Sequence, residues 1–412
     1  MRSILFLLGL CALASAKYKR YDGYKLVEII PSDVRALHTL GAWNGETSLD
    51  FWEEPSSVGE PVHLFLSPES LEAVGSVFDY KVLSETIQQE IDEEQARLKS
   101  RVPTPYFEYD DFNDYETIMA EVYDLADRCP AGFTCATYAI GQSVEGEDLI
   151  VMHISKDGES RDAVWIDSTI HAREWLATAT MMKILQNLID NYGTDSSATD
   201  AMDKYDFYIL PIVNPDGYKF THSNERMWRK NRSVNPGSTC LGTDLNRNFD
   251  FEHGTSGTST LPCSDTFHGA GPASEPEVKA QQDEMHRIMN SGQNIFAGIS
   301  MHTYGRYWLM NYGHALSGTC VVSPDHDVQF ELCTKMAQAT MATHNTNWAY
   351  GPMCTTLYAA SGNTIDYMYG DVGILYTYLP ELRGSSFVVD PNQIQPSFEE
   401  IWAGLHELFT HE

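Results

Sequence analysis

The chain has 412 residues, 42% of them hydrophobic, which allows two or three domains and a large core. Its formal net charge of −31 at pH 7 excludes the basic surface that nucleic-acid binding requires and predicts a soluble protein with an acidic exterior.

Met1 and Arg2 precede an apolar run over residues 4–14, and Ala14, Ser15 and Ala16 supply small residues for cleavage. This is the pattern of a secretory signal peptide over 1–16, too short to span a bilayer. No later stretch is long and apolar enough to cross a membrane. Secretion predicts oxidised thiols. Loss of the leader removes Cys11 and leaves Cys129, Cys135, Cys240, Cys263, Cys320, Cys333 and Cys354, an odd number, so one thiol stays unpaired. Cys333 lies in a helical pattern and reads as the free, buried one.

Residues 17–101 read as a separate unit. Residues 23–30 and 62–66 are strand-like, and Ser67-Pro68-Glu69 is a helix start, with a capping Ser and Pro at the first helical position. Strands mixed with helices at this length predict a small α+β antiparallel sandwich. Residues 84–99 are polar and helix-favouring, with Ile87 and Ile91 on one stripe. Arg97, Lys99 and Arg101 then offer basic sites before a proline-containing loop, where proteases cut.

From 102 to 412 strands alternate with helices. Strands are predicted at 149–154, 163–166, 207–213, 295–301 and 374–379, and helices at 174–191, 275–289, 327–343 and 398–409. The alternation predicts an α/β fold, a mixed central sheet with helices on both faces. His171 and Glu174 sit where a strand gives way to a helix, His302 ends another strand, and Glu381 follows a third. Imidazole nitrogen and carboxylate oxygen suit zinc, and a catalytic zinc uses three protein ligands. His406 and His411 form a decoy: they are five positions apart, where a zincin helix needs four, and they read as part of an amphipathic terminal helix.

His171-x-x-Glu174, His302 and Glu381-Leu382-Arg383 together resemble the zinc metallocarboxypeptidases of the pancreatic carboxypeptidase A/B type, over nearly the whole chain. The resemblance implies a secreted zymogen with an inhibitory pro-domain over 17–101, a connecting helix, and a catalytic domain over 102–412. It implies one Zn²⁺ per chain, held by His171, Glu174 and His302, with Asp244 behind His171. Glu381 matches the general base and Arg229 the oxyanion clamp. Arg247 and Asn246 match the grip on a peptide's free C-terminal carboxylate, which suits a bidentate guanidinium. Arg173 matches a secondary carboxylate contact, Tyr304 a substrate contact and Tyr358 the tyrosine that closes over substrate. Ile365 matches the floor of the specificity pocket, where basic-specific relatives carry aspartate, so apolar C-terminal residues are expected to leave. The main disulfide is implied at Cys240–Cys263, with Cys129–Cys135 and Cys320–Cys354 the next pairings. The expected partners are peptide or protein substrates with a free C-terminus and an activating trypsin-like protease cutting after Arg97, Lys99 or Arg101. No nucleic acid or membrane partner is expected, and the chain is expected to be a monomer.

The chain departs from that pattern at Pro380, where relatives usually have an aromatic residue, and at Asn363, usually glycine. Leu379 and Met353 are also sizeable for the pocket. Asn231-Arg-Ser is a glycosylation sequon inside a segment matched to the site and is expected to stay unmodified in the folded enzyme. Two other readings compete. A catalytically dead scaffold is disfavoured because every ligand, base and anchor is present. A hydrolase of small non-peptide amides is disfavoured by Arg247 and Tyr358.

Overall fold

The computed structural model describes residues 18–47, 49–102 and 106–411, so the expected leader lies outside the described residues. The N-terminal part runs β1 (Lys25–Ile29), α1 (Val34–Glu46), β2 (Asp50–Glu53), β3 (Val62–Leu66), α2 (Pro68–Gly75), β4 (Lys81–Ser84) and α3 (Ile87–Ser100). Its strands pair antiparallel in the order β2-β3-β1-β4. Successive residues of a strand point to opposite faces. Val27, Ile29, Phe51, Leu64 and Leu66 go to one face and pack on Leu40 of α1 and Val74 of α2. Leu26, Trp52 and Phe65 go to the other and pack on Ile87 and Ile91 of α3, and on Met227, Tyr304 and Phe387 from the rest of the chain. The small sheet is therefore covered on its second face by α3 and the larger part of the chain together.

Ser67 caps α2 by accepting from the Ser70 N–H at 3.1 Å. The expected helix at 84–99 starts later, at Ile87, because Ser84 is drawn into β4 beside Leu26 of β1. Arg97 and Lys99 lie in the last turn of α3, and Arg101 is the first residue beyond it, with an extended ψ of 130°.

The larger part continues with α4 (Tyr115–Asp127), β5 (Phe133–Gln142), β6 (Asp148–Lys156), β7 (Ala163–Ser168), α5 (Trp175–Asn191), α6 (Ser196–Lys204), β8 (Asp206–Leu210) and α7 (Pro215–Ser223). Then come α8 (Pro276–Asn290), β9 (Ile295–Thr303), β10 (Tyr307–Met310), β11 (Ala315–Leu316), β12 (Thr319–Cys320) and α9 (His326–His344). The chain ends with β13 (Ala349–Pro352), α10 (Met353–Thr356), α11 (Thr364–Tyr367), β14 (Tyr376–Leu382) and α12 (Ile394–Thr410). Eight strands form one mixed sheet in the order β13-β10-β14-β9-β7-β8-β6-β5. Ile150, Met152 and Ile166 face α4, α5 and α12 on one side, while Leu149, Val151 and Trp165 face α8 and Tyr367 on the other.

The centre of the sheet positions the site. β7, β9 and β14 are neighbours and parallel, so their C-terminal ends share one edge, the usual place for ligands in such sheets. β14 runs further than the sequence predicts, through Pro380 to Leu382, so Glu381 lies within the strand. It pairs with His302 of β9 and Tyr307 of β10. Pairing with β9 lapses at Leu379 and Pro380 but resumes in the same register, since Tyr378 faces Ile299 and Glu381 faces His302. A proline removes one ladder donor; here it leaves the strand's aim unchanged. Disulfides join Cys129–Cys135, Cys240–Cys263 and Cys320–Cys354, and Cys333 is free and buried. These are the pairs named from the sequence.

Candidate active site

His171 and Glu174 lie in the short turn between β7 and α5, and His302 is near the end of β9. Their ligand atoms lie within 4.8 Å of one another, and all three residues are buried. Glu174 Oε1 is 2.7 Å from His171 Nδ1, and its Oε2 is 3.2 Å from His302 Nδ1. The Thr303 N–H donates to Oε2 at 3.1 Å. Burial works to raise the Glu174 carboxyl, but the two imidazoles outweigh it and hold it below the ordinary range. Burial depresses His302, with Glu174 partly offsetting it. Two imidazole Nδ1 atoms and a carboxylate converging in a buried site are the N and O donor set of a zinc centre. Among the described residues this is the one cluster suited to a metal. His406 and His411 of the decoy take no part: the ring of His411 meets Tyr376, and His406 faces Asp200.

The far side of His171 is held by Asp244, whose Oδ1 is 3.1 Å from Nε2. Asp244 is completely buried, and its Oδ2 accepts from Arg229 Nη2 at 2.8 Å. Arg247 Nη1 stands 3.9 Å from the same oxygen. Burial alone would raise the Asp244 carboxyl, but Arg229, His171 and Arg247 keep it well below its usual value. Glu381 faces the same cleft from β14. Its Oε2 is buried without a hydrogen-bond partner in the described residues. Burial, then the Glu174 charge, push its carboxyl well up, and Arg229 and Arg247 pull against them.

The cleft has a volume of about 960 Å³. Arg247 lines it, its Nε donating to the Gly257 carbonyl at 2.8 Å. The ring of Tyr358 lies 5.9 Å from the Arg247 guanidinium. Asn246 lines the cleft, and its Oδ1 accepts from the Thr364 N–H at 2.9 Å. Arg173 is buried with its guanidinium 4.2 Å from the Phe387 ring, and its Nε and Nη2 find no partner among the described residues. The Tyr304 hydroxyl is likewise buried and unpartnered there. Ile365, expected at the pocket floor, is fully buried in a cluster with Leu309, Met353, Ala360 and Leu379 and is not itself among the residues at the cleft surface. Met353, Leu357 and Leu379 line the cleft. Asn363 turns inward, donating to the Ala360 carbonyl at 2.8 Å and capping α11 through Asp366 N–H at 2.9 Å. Asn231 is buried and donates to Glu275 at 2.7 Å, so the sequon is inaccessible in the fold.

Sequence reasoning missed how the first sheet meets this cleft. Glu54, just past β2, is buried against Arg247, with Oε1 2.6 Å from Nη2. Asp50 Oδ1 is 2.9 Å from Arg173 Nη1. Glu94 of α3 pairs with Arg226 at 2.6 Å, both buried, and the Arg226 guanidinium lies 3.7 Å from the Trp175 ring. The one sequence signal was the density of acids at 50–54, which in an acidic chain reads as solvated surface.

The chain belongs to the zinc carboxypeptidase family. Residues 118–404 match the family described as zinc carboxypeptidase, and residues 27–94 match the carboxypeptidase activation peptide. It is 35% identical to rat carboxypeptidase A2 over 405 residues, covering 95% of this chain and 94% of the relative. Against bovine carboxypeptidase A1 the identity is 33%, covering 100% of this chain and 99% of the relative. Among solved structures, carboxypeptidase A from Helicoverpa armigera superposes with a TM-score of 0.83 at 27% identity, covering 94% of this chain and 97% of that one. Thrombin activatable fibrinolysis inhibitor gives 0.82 at 29%, covering 94% and 98%. The protein is a metallocarboxypeptidase zymogen, an activation peptide followed by a zinc carboxypeptidase domain. Chelation of the cut enzyme with 1,10-phenanthroline is expected to abolish peptide hydrolysis, and zinc to restore it; activity that survives with no zinc by elemental analysis would remove the metal from the chemistry.

Proposed function

We propose that this carboxypeptidase is secreted as a latent zymogen and, once cut, releases apolar residues from peptide C-termini. One observation carries the reading: buried Arg247, which lines a cleft shared with His171, Glu174, His302 and Glu381, already holds a carboxylate, that of Glu54, through its Nη2. A site that holds a carboxylate at that distance suits a substrate's free C-terminus.

His171, Glu174 and His302 would hold zinc, which when bound supplies Lewis acidity and a water whose pKa is lowered to roughly 7. Asp244 accepts from His171 Nε2–H, fixing the tautomer that leaves Nδ1 free to ligate. Glu381 takes the proton of the attacking water. The water oxygen bonds to the scissile carbonyl carbon, the C–N bond breaks, and Glu381 returns the proton to the leaving amine nitrogen. Arg229, anchored on Asp244, faces the carbonyl oxygen as it gains negative charge. Arg247 and Asn246 hold the terminal carboxylate, Arg173 and Tyr304 contact the substrate backbone, and Tyr358 covers the site. Glu381→Gln is expected to keep zinc and substrate affinity but lose at least about a hundredfold in kcat, because an amide cannot accept the proton. Near-normal kcat in that variant would remove Glu381 from the role.

Latency follows from the acids at 50–54. With Glu54 on Arg247 and Asp50 on Arg173, a substrate finds both anchors engaged. Of the basic sites, Arg101 lies outside α3 and is extended, the conformation a protease needs, so a trypsin-like enzyme is expected to cut there first. Glu54→Gln is expected to raise the uncut chain's hydrolysis of a blocked dipeptide severalfold and leave the cut enzyme unchanged. Equal latency in that variant would show that the Glu54 contact does not hold the enzyme off.

Leu379 and Glu381 alternate with Pro380 on β14 and so share a face, which puts Leu379 beside the reacting group. Met353 and Leu379 line the cleft and cluster with Ile365, Leu309 and Ala360, an apolar group that holds no counter-charge and suits a short recess. A terminal Lys or Arg there would bury an unpaired charge. Peptides ending in Leu, Ile, Val or Met are expected to exceed those ending in Trp, and Leu to exceed Arg by about a hundredfold in kcat/KM. Leu379→Ala is expected to shift preference towards Phe and Trp by roughly tenfold. An Arg preference in the wild type would overturn the apolar reading, and Trp equal to Leu would overturn only the short recess.

A further inference from the structure

The two histidines of the zinc cluster are supported differently. His171 Nε2 faces the Asp244 carboxylate directly, but His302 Nε2 faces the Ser300 hydroxyl, at 3.5 Å. Ser300 is the register partner of Asp167, across β9 and β7. Both are fully buried. The Ser300 hydroxyl donates to Asp167 Oδ1 at 2.7 Å, and Trp165 Nε1–H donates to Oδ2 at 2.8 Å. A buried carboxylate without a cation is costly, and none of the influences on Asp167 comes from a charged side chain. Burial raises its carboxyl to about 6, against the pull of Ser300 and Trp165.

The proton count of this chain sets a direction. Ser300 has one hydroxyl proton, and the 2.7 Å contact gives it to Asp167. The lone pairs of the oxygen are then left to accept from His302 Nε2–H. With the proton on Nε2, His302 Nδ1 is bare on the side where Glu174 Oε2 stands at 3.2 Å.

We propose that Asp167, acting through Ser300, is a positioning pair that fixes the tautomer and ring orientation of His302 for zinc. Its carboxylate orients the hydroxyl, and the hydroxyl orients the imidazole. The pair rests on the reading of His302 as a ligand. It places the support of the second histidine inside the central sheet, where β7 and β9 hold it rigidly, while Asp244 supports the first from a loop.

The test uses the full-length zymogen, loaded with zinc, as wild type and as Ser300→Ala, Ser300→Thr, Asp167→Asn and His302→Ala. Zinc release to a colorimetric chelator is timed, and the melting temperature of each zinc-free chain is measured in parallel. Ser300→Ala and Asp167→Asn are expected to release zinc about tenfold faster or more. Ser300→Thr keeps the hydroxyl and is expected to restore the slow rate. Zinc release at the wild-type rate in Ser300→Ala, or Thr no better than Ala, overturns the pair. A lower melting temperature of the zinc-free chain with unchanged zinc release also overturns it and makes the contact structural only. Retention of tightly bound zinc by His302→Ala removes the ligand reading itself, whereas loss of zinc there with a normal Ser300→Ala removes the positioning pair alone.

Discussion

The Asp244 carboxylate is the counter-charge on which the site depends. It meets His171 through one oxygen and Arg229 through the other, with Arg247 nearby. Taking any one of these groups out of water alone would be unfavourable. Together they neutralise one another and lock three side chains of different purpose into one arrangement. The imidazole's tautomer, the direction of the Arg229 fork and the seat of Arg247 are therefore coupled. A loop supplies Asp244, yet the loop is rigid because its neighbours are bonded in turn: Asn231 Oδ1 accepts from the Thr243 N–H at 2.8 Å, and the Asp244 N–H donates to Phe267 O at 2.8 Å.

The activation segment exploits the same electrostatics. Arg173, Arg226 and Arg247 are buried cations, and the segment brings Asp50, Glu94 and Glu54 to them. The Glu94–Arg226 and Glu54–Arg247 pairs are buried on both sides, so breaking either by removing a partner costs about 3–5 kcal/mol, whereas Asp50 is partly exposed and its pair with Arg173 contributes less. That makes docking of the segment specific, because a shifted segment would strand charges on both sides. The apolar contact of Trp52 with Phe387 and Tyr304 adds area between these charged points. Much of the chain's acidity remains on the surface, but these carboxylates do a different job from solubility.

The geometry of the sheet explains how Glu381 keeps its place beside an unusual neighbour. Pro380 interrupts pairing between β14 and β9, yet the register on either side agrees. Trp308 of β10 still faces Pro380 on the other edge, so the strand is held from that side and Glu381 keeps its aim. Proline's fixed φ is compatible with an extended chain, and only the hydrogen bond is lost.

What the sequence determined was local chemistry and period. Strand alternation, helix caps and the His171-x-x-Glu174 spacing were legible because they depend on neighbours a few positions apart, whereas His302, far along the chain, was named as the end of another strand and by the family resemblance. The family resemblance carried the pairing of cysteines and the identity of the distant arginines. What only tertiary structure decided were contacts across long separations. Glu54 and Arg247 are 193 positions apart, and nothing in a run of acids reveals which one will be buried. Ile365 was expected to form the pocket floor; only the fold shows that it is buried in one apolar cluster with Leu309, Met353, Ala360 and Leu379, because side-chain volume is shared among elements that meet only there. Asp167 lies just past the strand expected at 163–166, and its partner on β9 is named by sheet register alone. Local pattern is set by the covalent chain, whereas burial and charge pairing depend on which distant surfaces exclude water together.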